Sequence, residues 1–270
     1  PNRTSFNYVI ATVEIEGGLI LLDATDKNAT PNVIPIRDIN WEGRLIRKER
    51  SSTSVSLLPT MVSKDTKQIM AKIDEEGKIT GKVRIQNTDY NAYSFRNNYL
   101  GVSKDNYIES LKKRYDNLQI EEYNVTNDKD LSKPVIEDIS FTYDNLAEKI
   151  GSKIYFSPML FFQLTENPFK LEKREYPVDF VYPQQDKYTF SITIPEGYKV
   201  ESVPAPLAVA IENNMVLFKY NIQTVGNAIQ LTATLDVNQS IIPSQYYEDL
   251  KGFFKSIVEK QTEKVVLVKI

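Results

Sequence analysis

The sequence predicts a mainly β fold: antiparallel sandwich-type units, a helical insert and a long helix near the C-terminus. Three observations carry this. Apolar residues alternate with polar ones at a period of two through most of the chain, and Gly, Pro and Asn punctuate the runs. The 3.6-residue period surfaces in only two places. The composition of 16 Tyr and 12 Phe among many Val, Ile and Thr favours sheet.

The elements follow in order. Tyr8 to Ile15 alternates, Gly17-Gly18 supplies a turn, and a second apolar run ends at Asp23, which together read as a β-hairpin. Residues 26–43, rich in Asn, Asp and Pro, read as a surface loop, with a short strand at Leu45 to Lys48. Residues 49–54 are polar and unpatterned and read as a linker. Lys67 to Asp74 and Lys78 to Gln86 flank Glu75-Glu76-Gly77 as a second hairpin. The period then changes. Tyr90, Tyr93, Phe95 and Tyr99 suggest a short helix, and Ser103 caps another with Tyr107, Ile108, Leu111 and Tyr115 on one face. This insert spans about 89–116 and is followed by strands at 118–125 and 135–143.

From Lys153 onward strands are expected near 153–157, 177–182, 187–194, 198–203, 207–211, 215–223 and 228–238. Ser244 then caps a helix over 244–260 with Tyr247, Leu250, Phe253, Phe254, Ile257 and Val258 inward, and Val265 to Ile270 closes as a strand. These elements group into residues 1–48, a ββααββ middle unit at 49–148, and a C-terminal antiparallel β-domain at 149–270 with helix 244–260.

Composition removes whole classes of function. The 270 residues contain no Cys and no His, so thiol nucleophiles, thiolate metal sites and the commonest general base are all missing. Net charge is −3 with both signs interspersed, and no basic stripe would neutralise phosphates, so nucleic acid is not expected as a partner. No apolar run is long enough to span a membrane and no signal peptide is visible. Pro1-Asn2-Arg3 opens directly into a strand and reads as an internal boundary, so missing targeting signals carry little weight.

The opening hairpin, Tyr8 through Gly17-Gly18 to Asp23-Ala-Thr25, resembles the end of a transglutaminase-like (papain-like) core. In that motif one strand carries the catalytic His and the next ends in Asp-Pro-Thr or Asp-Ala-Thr. Further on, Arg174-Glu-Tyr-Pro177-Val-Asp-Phe180, Ile194-Pro195-Glu196-Gly197-Tyr198 and the stretch from Tyr247 to Lys269 resemble the C-terminal β-domain that follows this core in one group of bacterial transglutaminase-like proteins. The resemblance makes residues 1 to about 46 the remnant of the core. It places Asp23 at the orienting acid and Tyr8, fifteen residues earlier, at the His position. A phenol stays protonated at neutral pH and forms no imidazolium for the acid to stabilise.

The resemblance therefore implies a degenerate transglutaminase fold: a non-catalytic structural or binding region of an exported, periplasmic or otherwise extracytoplasmic protein, not an enzyme. Tyr8 and Asp23 are its vestigial triad-like positions. Its implied partners are the upstream domains of the same polypeptide and a peptide, glycan or envelope protein. The alternative is an accessory domain that shapes the substrate cleft of an active upstream cysteine core. Neither reading requires a cofactor or a metal.

Other constellations have bland readings. Ser110 and Lys113 match the spacing of a Ser–Lys nucleophile but face away from the Tyr107–Leu111 stripe, as a solvated helix face does. Asp23, Asp26 and Asn28, like Asn127 and Asp130, offer oxygens to Ca²⁺, yet turns favour these residues for their own hydrogen bonds. Glu121-Glu122 reads as a half-exposed edge. The aromatic run from Ile154 to Phe162 reads as core. The sequons at Asn2, Asn28, Asn124 and Asn238 matter only in a eukaryotic secreted protein. Trp41, in a polar loop, is the candidate binding residue.

Overall fold

The structure is a computed structural model that describes residues 8–39, 42–115, 118–144 and 146–270. Its first elements are a hairpin, β1 (Ala11–Ile15) and β2 (Gly18–Leu22), and a second hairpin, β3 (Glu42–Ile46) and β4 (Ser52–Ser56). The second hairpin corrects the linker reading of 49–54. Its arm is Ser/Thr-rich and almost wholly exposed, so no apolar alternation betrays it. The chain reverses through Arg50 at φ 65°.

The centre is an eight-stranded sheet. Its strands are β5 (Ser63–Ile73), β6 (Ile79–Asn87), β7 (Gln119–Thr126), β8 (Val135–Tyr143), β12 (Gln184–Thr193), β14 (Leu207–Ala210), β15 (Val216–Val225) and β16 (Ala228–Val237). Their spatial order is β14-β15-β16-β12-β5-β6-β8-β7. Every pairing is antiparallel except β12 with β5, which run parallel and join the early strands to the late ones in one mixed sheet. The period-two pattern now has a consequence: one row across seven strands reads Ile222, Leu231, Phe190, Ile69, Val83, Ile139, Tyr123, and all seven are buried. The opposite face carries residues such as Lys72, Lys82 and Lys219.

A smaller sheet covers part of the core, in the order β13-β18-β10-β9. It comprises β9 (Ala147–Ile150), β10 (Lys153–Phe156), β13 (Tyr198–Ser202) and β18 (Val265–Lys269). Two-residue strands β11 (Val178–Asp179) and β17 (Ile241–Ile242) pair separately. The β5–β6 turn needs its glycine. Gly77 sits at φ 89°, and a Cβ there would lie 2.8 Å from the Ala147 carbonyl oxygen.

The helical insert forms as α1 (Asp89–Tyr99) and α2 (Lys104–Arg114), with the Ser103 hydroxyl accepting the Asn106 N–H at 3.3 Å as the N-cap. The late helix, α3 (Tyr247–Thr262), buries Tyr247, Leu250, Phe253, Phe254 and Ile257 as the periodicity requires. Ser244 does not cap it. Pro243 starts a 3₁₀ turn over Ser244–Tyr246, which enters the α-helix at Tyr247 without a side-chain cap. Among the described residues no helix is long and apolar enough to cross a membrane.

The opening segment docks on α1. The Tyr93 hydroxyl donates to Asp26 at 2.7 Å, and Asn28 Nδ2 donates to Asn97 Oδ1 at 2.6 Å. Val33, Tyr90 and Tyr93 form a small second core, extended by Ile39, Met61 and Tyr182; Tyr182 stacks on Tyr90 at 4.7 Å. That contact gives an otherwise marginal two-stranded hairpin something to pack against.

Candidate functional site

The β1–β2 register pairs Ala11 with Leu22 and, carried outward, sets Tyr8 opposite Thr25 and diagonal to Asp23. The side chains meet as that geometry dictates. Tyr8 donates its hydroxyl to Asp23 Oδ2 at 3.0 Å and lies 2.7 Å from Thr25 Oγ1. The other Asp23 oxygen accepts the Thr25 backbone N–H at 2.8 Å, an Asx-type turn. The two positions singled out in the sequence are thus brought together.

Two further members were not foreseen. Arg37 donates to Thr25 Oγ1 at 2.8 Å and to the Tyr8 oxygen at 3.3 Å, lies over the Tyr8 ring at 5.3 Å, and stands 3.7 Å from Asp23. Asp38 lies beneath, 6% exposed, and neither of its carboxylate oxygens has a hydrogen-bond donor. Arg37 Nε comes no closer to it than 3.7 Å. No local signal in the 26–43 loop marks these two residues, because their placement depends on how the loop folds back towards the hairpin.

The two carboxyls titrate apart. Burial, followed by the neighbouring Asp23, pushes Asp38 up to about 6. Burial also acts to raise Asp23, but the Thr25 N–H, the facing Asp38 carboxyl, and the Thr25 and Tyr8 hydroxyls outweigh it and hold Asp23 down to about 2. Below a pH of about 6 one proton serves the pair and rests on Asp38. In this arrangement the Tyr8 hydroxyl is a donor to a carboxylate and an acceptor from Arg37. The cluster ties the loop that carries Arg37 and Asp38 to the hairpin.

The remaining candidates separate. Trp41 lies outside the described residues. Ser110 donates its hydroxyl back to the Tyr107 carbonyl at 2.6 Å, and Lys113 is exposed. Glu121 and Glu122 sit on the edge strand β7 at a bulge and accept from Thr142 and Ser140. Asp26 is used by its own turn, accepting the Asn28 N–H at 2.9 Å, and by Tyr93. The Asn127–Asp130 loop is organised by a side chain: buried Arg96 donates to the carbonyls of Asn127, Asp128, Asp130 and Lys133 and takes the place a cation would have. No cluster of metal-ligating side chains occurs among the described residues.

A second polar cluster was missed although β8 announced it. Val135, Ile139 and Phe141 alternate inward, and Glu137 falls in the same phase. Glu137 is 3% exposed and accepts the hydroxyls of Tyr107 at 3.0 Å and Tyr123 at 2.8 Å.

No curated protein matches this chain. A crystal structure of a Parabacteroides distasonis protein, provisionally described as a protease, is similar at a TM-score of 0.44 and 10% identity; the match covers 96% of this chain and 35% of that one. The chain thus spans about a third of that protein's length. Residues 152–267, the stretch holding β10 to β18 and α3, match the family described as a domain of unknown function with a solved structure (DUF3858).

Proposed function

We propose that this chain is a non-catalytic structural and binding region of a transglutaminase-like protein, exported to the cell envelope, with Tyr8 and Asp23 as the relic of a His–Asp pair. The observation that carries the reading is the Tyr8–Asp23 hydrogen bond at 3.0 Å. The phenol donates a hydrogen bond to the acid and offers no base. The chain also has neither Cys nor His to supply the nucleophile or the shuttle. The resemblance of the hairpin and of the C-terminal stretches supports the proposed family and envelope location.

The test is turnover. Purified chain incubated with a glutamine-containing peptide and a primary amine is expected to release no ammonia above buffer, and Tyr8→His is expected to stay equally silent because the sequence contains no Cys. Ammonia release by the unaltered chain that survives Asp23→Ala would overturn the reading.

A further inference from the structure

One side of the eight-stranded sheet packs on the core, and the other is open to solvent. From β15 through β16, β12 and β5 to β6, the outward phase carries six bases: Lys219, Lys187, Lys64, Lys72, Lys82 and Arg84, all exposed. The same phase of these five strands holds one acid, Asp236, which accepts Gln185 Nε2 at 2.7 Å. The whole chain has a net charge of −3, so this face collects positive charge against the composition. The bases are scattered along the sequence and only the strand order gathers them.

The registers fix the layout. Lys219 and Lys187 flank Thr234 from its two sides, two strand spacings or ~9.5 Å apart. Lys187 pairs with Thr66, which sets Lys64 diagonal to it. Towards the other end Lys82 pairs with Met70, which sets Lys72 diagonal to it, and Arg84 follows two residues after Lys82. The bases thus form an oblique track across the strands, and Lys64 to Lys72 along β5 spans roughly 27 Å. Thr, Ser, Asn and Gln side chains such as Thr189, Thr232 and Gln68 lie between them.

A solvated sheet face ordinarily offsets such charges with cross-strand partners of opposite sign. Arg84 has one, reaching Asp138 on β8 at 2.7 Å. Among the described residues no ion pair reaches Lys64, Lys72, Lys82, Lys187 or Lys219. Five ammonium groups on one face therefore await an anion from outside the chain.

The side chains between the bases select its class. Single-stranded nucleic acid stacks on aromatic platforms, and the outward phase of these strands holds no aromatic ring. Protein interfaces centre on aromatic, Met and Arg side chains and are depleted in Lys; here Lys predominates, and Met70 is the one large apolar side chain exposed away from the strand ends. A lipid surface is gripped by apolar side chains that enter it, and this face offers no such set. Hydroxyls and amides interleaved with cations suit a ligand that carries hydroxyls between its own charges.

We propose that this open face binds a polyanionic glycan, a sugar chain bearing carboxylates, with the lysines on its charges and the intervening Thr, Asn and Gln side chains on its hydroxyls. The proposal rests on the binding role put forward above and names its ligand class. Failure of binding would leave the non-catalytic reading standing, and the turnover assay does not bear on this face.

The experiment is titration of the full chain with an eight-sugar oligogalacturonate, followed by calorimetry and NMR. Maltooctaose is the neutral control; an oligothymidylate and phosphatidylglycerol vesicles are the other polyanions. Saturable binding of the oligogalacturonate with Kd below about 1 mM is expected at low salt, weakened at least about threefold by 0.2 M NaCl, with none for maltooctaose. Lys82→Glu combined with Lys187→Glu should weaken it at least about tenfold, while Lys112→Glu with Lys113→Glu on α2 leaves it unchanged. Lys82→Gln with Lys187→Gln, expected to weaken it less, serves should charge reversal disturb the circular dichroism spectrum. Absence of saturation at about 5 mM oligogalacturonate, equal binding of maltooctaose, indifference to the sheet substitutions, an equal loss from the α2 substitutions, or tighter binding of the oligothymidylate or vesicles would each overturn the proposal.

Discussion

Replacing Asp38 by Asn removes a titrating carboxyl and gives Asp23 a permanent donor. Asp38 has a folded-state pKa of about 6 against a reference of 3.8. Below the reference value both folded and unfolded states hold the proton, and Asp38 costs nothing. As pH rises from about 4 to 6, the unfolded chain releases its proton first, so the folded state binds more protons and stability falls with rising pH. Above about 6 the penalty is complete. Asp23 has the opposite sign: its pKa is held down to about 2, so its contribution is present above 3.8 and is lost only as pH falls through about 2. The window between pH 4 and 6 therefore belongs to Asp38 within this pair.

A shift of about 2 units corresponds to roughly 3 kcal/mol at 1.36 kcal/mol per unit. The pair lies just under the half-exposed Arg37, and nearby solvent screens it, so about 1–2 kcal/mol is the realistic figure. Asp38→Asn should thus stabilise the protein at pH 7.5 by about 1–2 kcal/mol, or roughly 2–8 °C in Tm for a chain of this size. At pH 4 it should change little. Urea and thermal melts followed by circular dichroism at pH 4, 5, 6 and 7.5 provide the comparison. The difference between variant and parent isolates Asp38 from Asp186, which titrates in the same range. Parallel pH profiles, or a variant less stable than the parent at pH 7.5, would refute the shared-proton argument.

Two further outcomes are expected. Arg96→Leu should cost about 3 kcal/mol or more, because four loop carbonyls lose a charged donor at once, and hydrogen exchange should accelerate across 127–133; Arg96→Lys should recover only part of the loss, since a point ammonium cannot span the fork. An isolated 149–270 fragment should aggregate or remain unfolded in sedimentation and circular dichroism measurements, because it exposes the β12 edge that β5 covers over ten paired positions.

The local parts of this fold were legible and the long-range parts were not. Glu75-Glu76-Gly77 announces its hairpin because glycine at positive φ is required there, and Ser103 announces α2 because the cap is written within three residues. β4 was hidden by its polarity and β17 by its length of two residues, while the strand expected at 177–182 shrinks to the two residues of β11. The parallel β5–β12 pairing left no trace, since both strands carry the same alternation whichever neighbour they take. At the candidate site, Tyr8 and Asp23 were legible through a register that two hairpin arms fix between them. Arg37 and Asp38 were not, because burial of a loop aspartate is decided by the surface onto which the loop folds.

The strand joint also explains how charged residues come to lie in the buried phase of this sheet. Phe190 beside Ile69 and Ile192 beside Ala71 fix the β12–β5 register through buried apolar neighbours, and a slip of one residue would turn all of them outward. Once that register is set, Asp186 is held against Asp65, a pairing of like charges that costs stability. The charged residues in the buried phase of these strands are Asp65, Lys67, Asp186 and Glu137, and all four fall in the two rows next to one another at the same end of the sheet. An apolar or neutral residue at Asp186 would pack there without the repulsion. The buried phase of the sheet is apolar along most of its length and turns charged at this one end, where Lys67 offsets part of the repulsion by pairing with Asp65 at 2.5 Å.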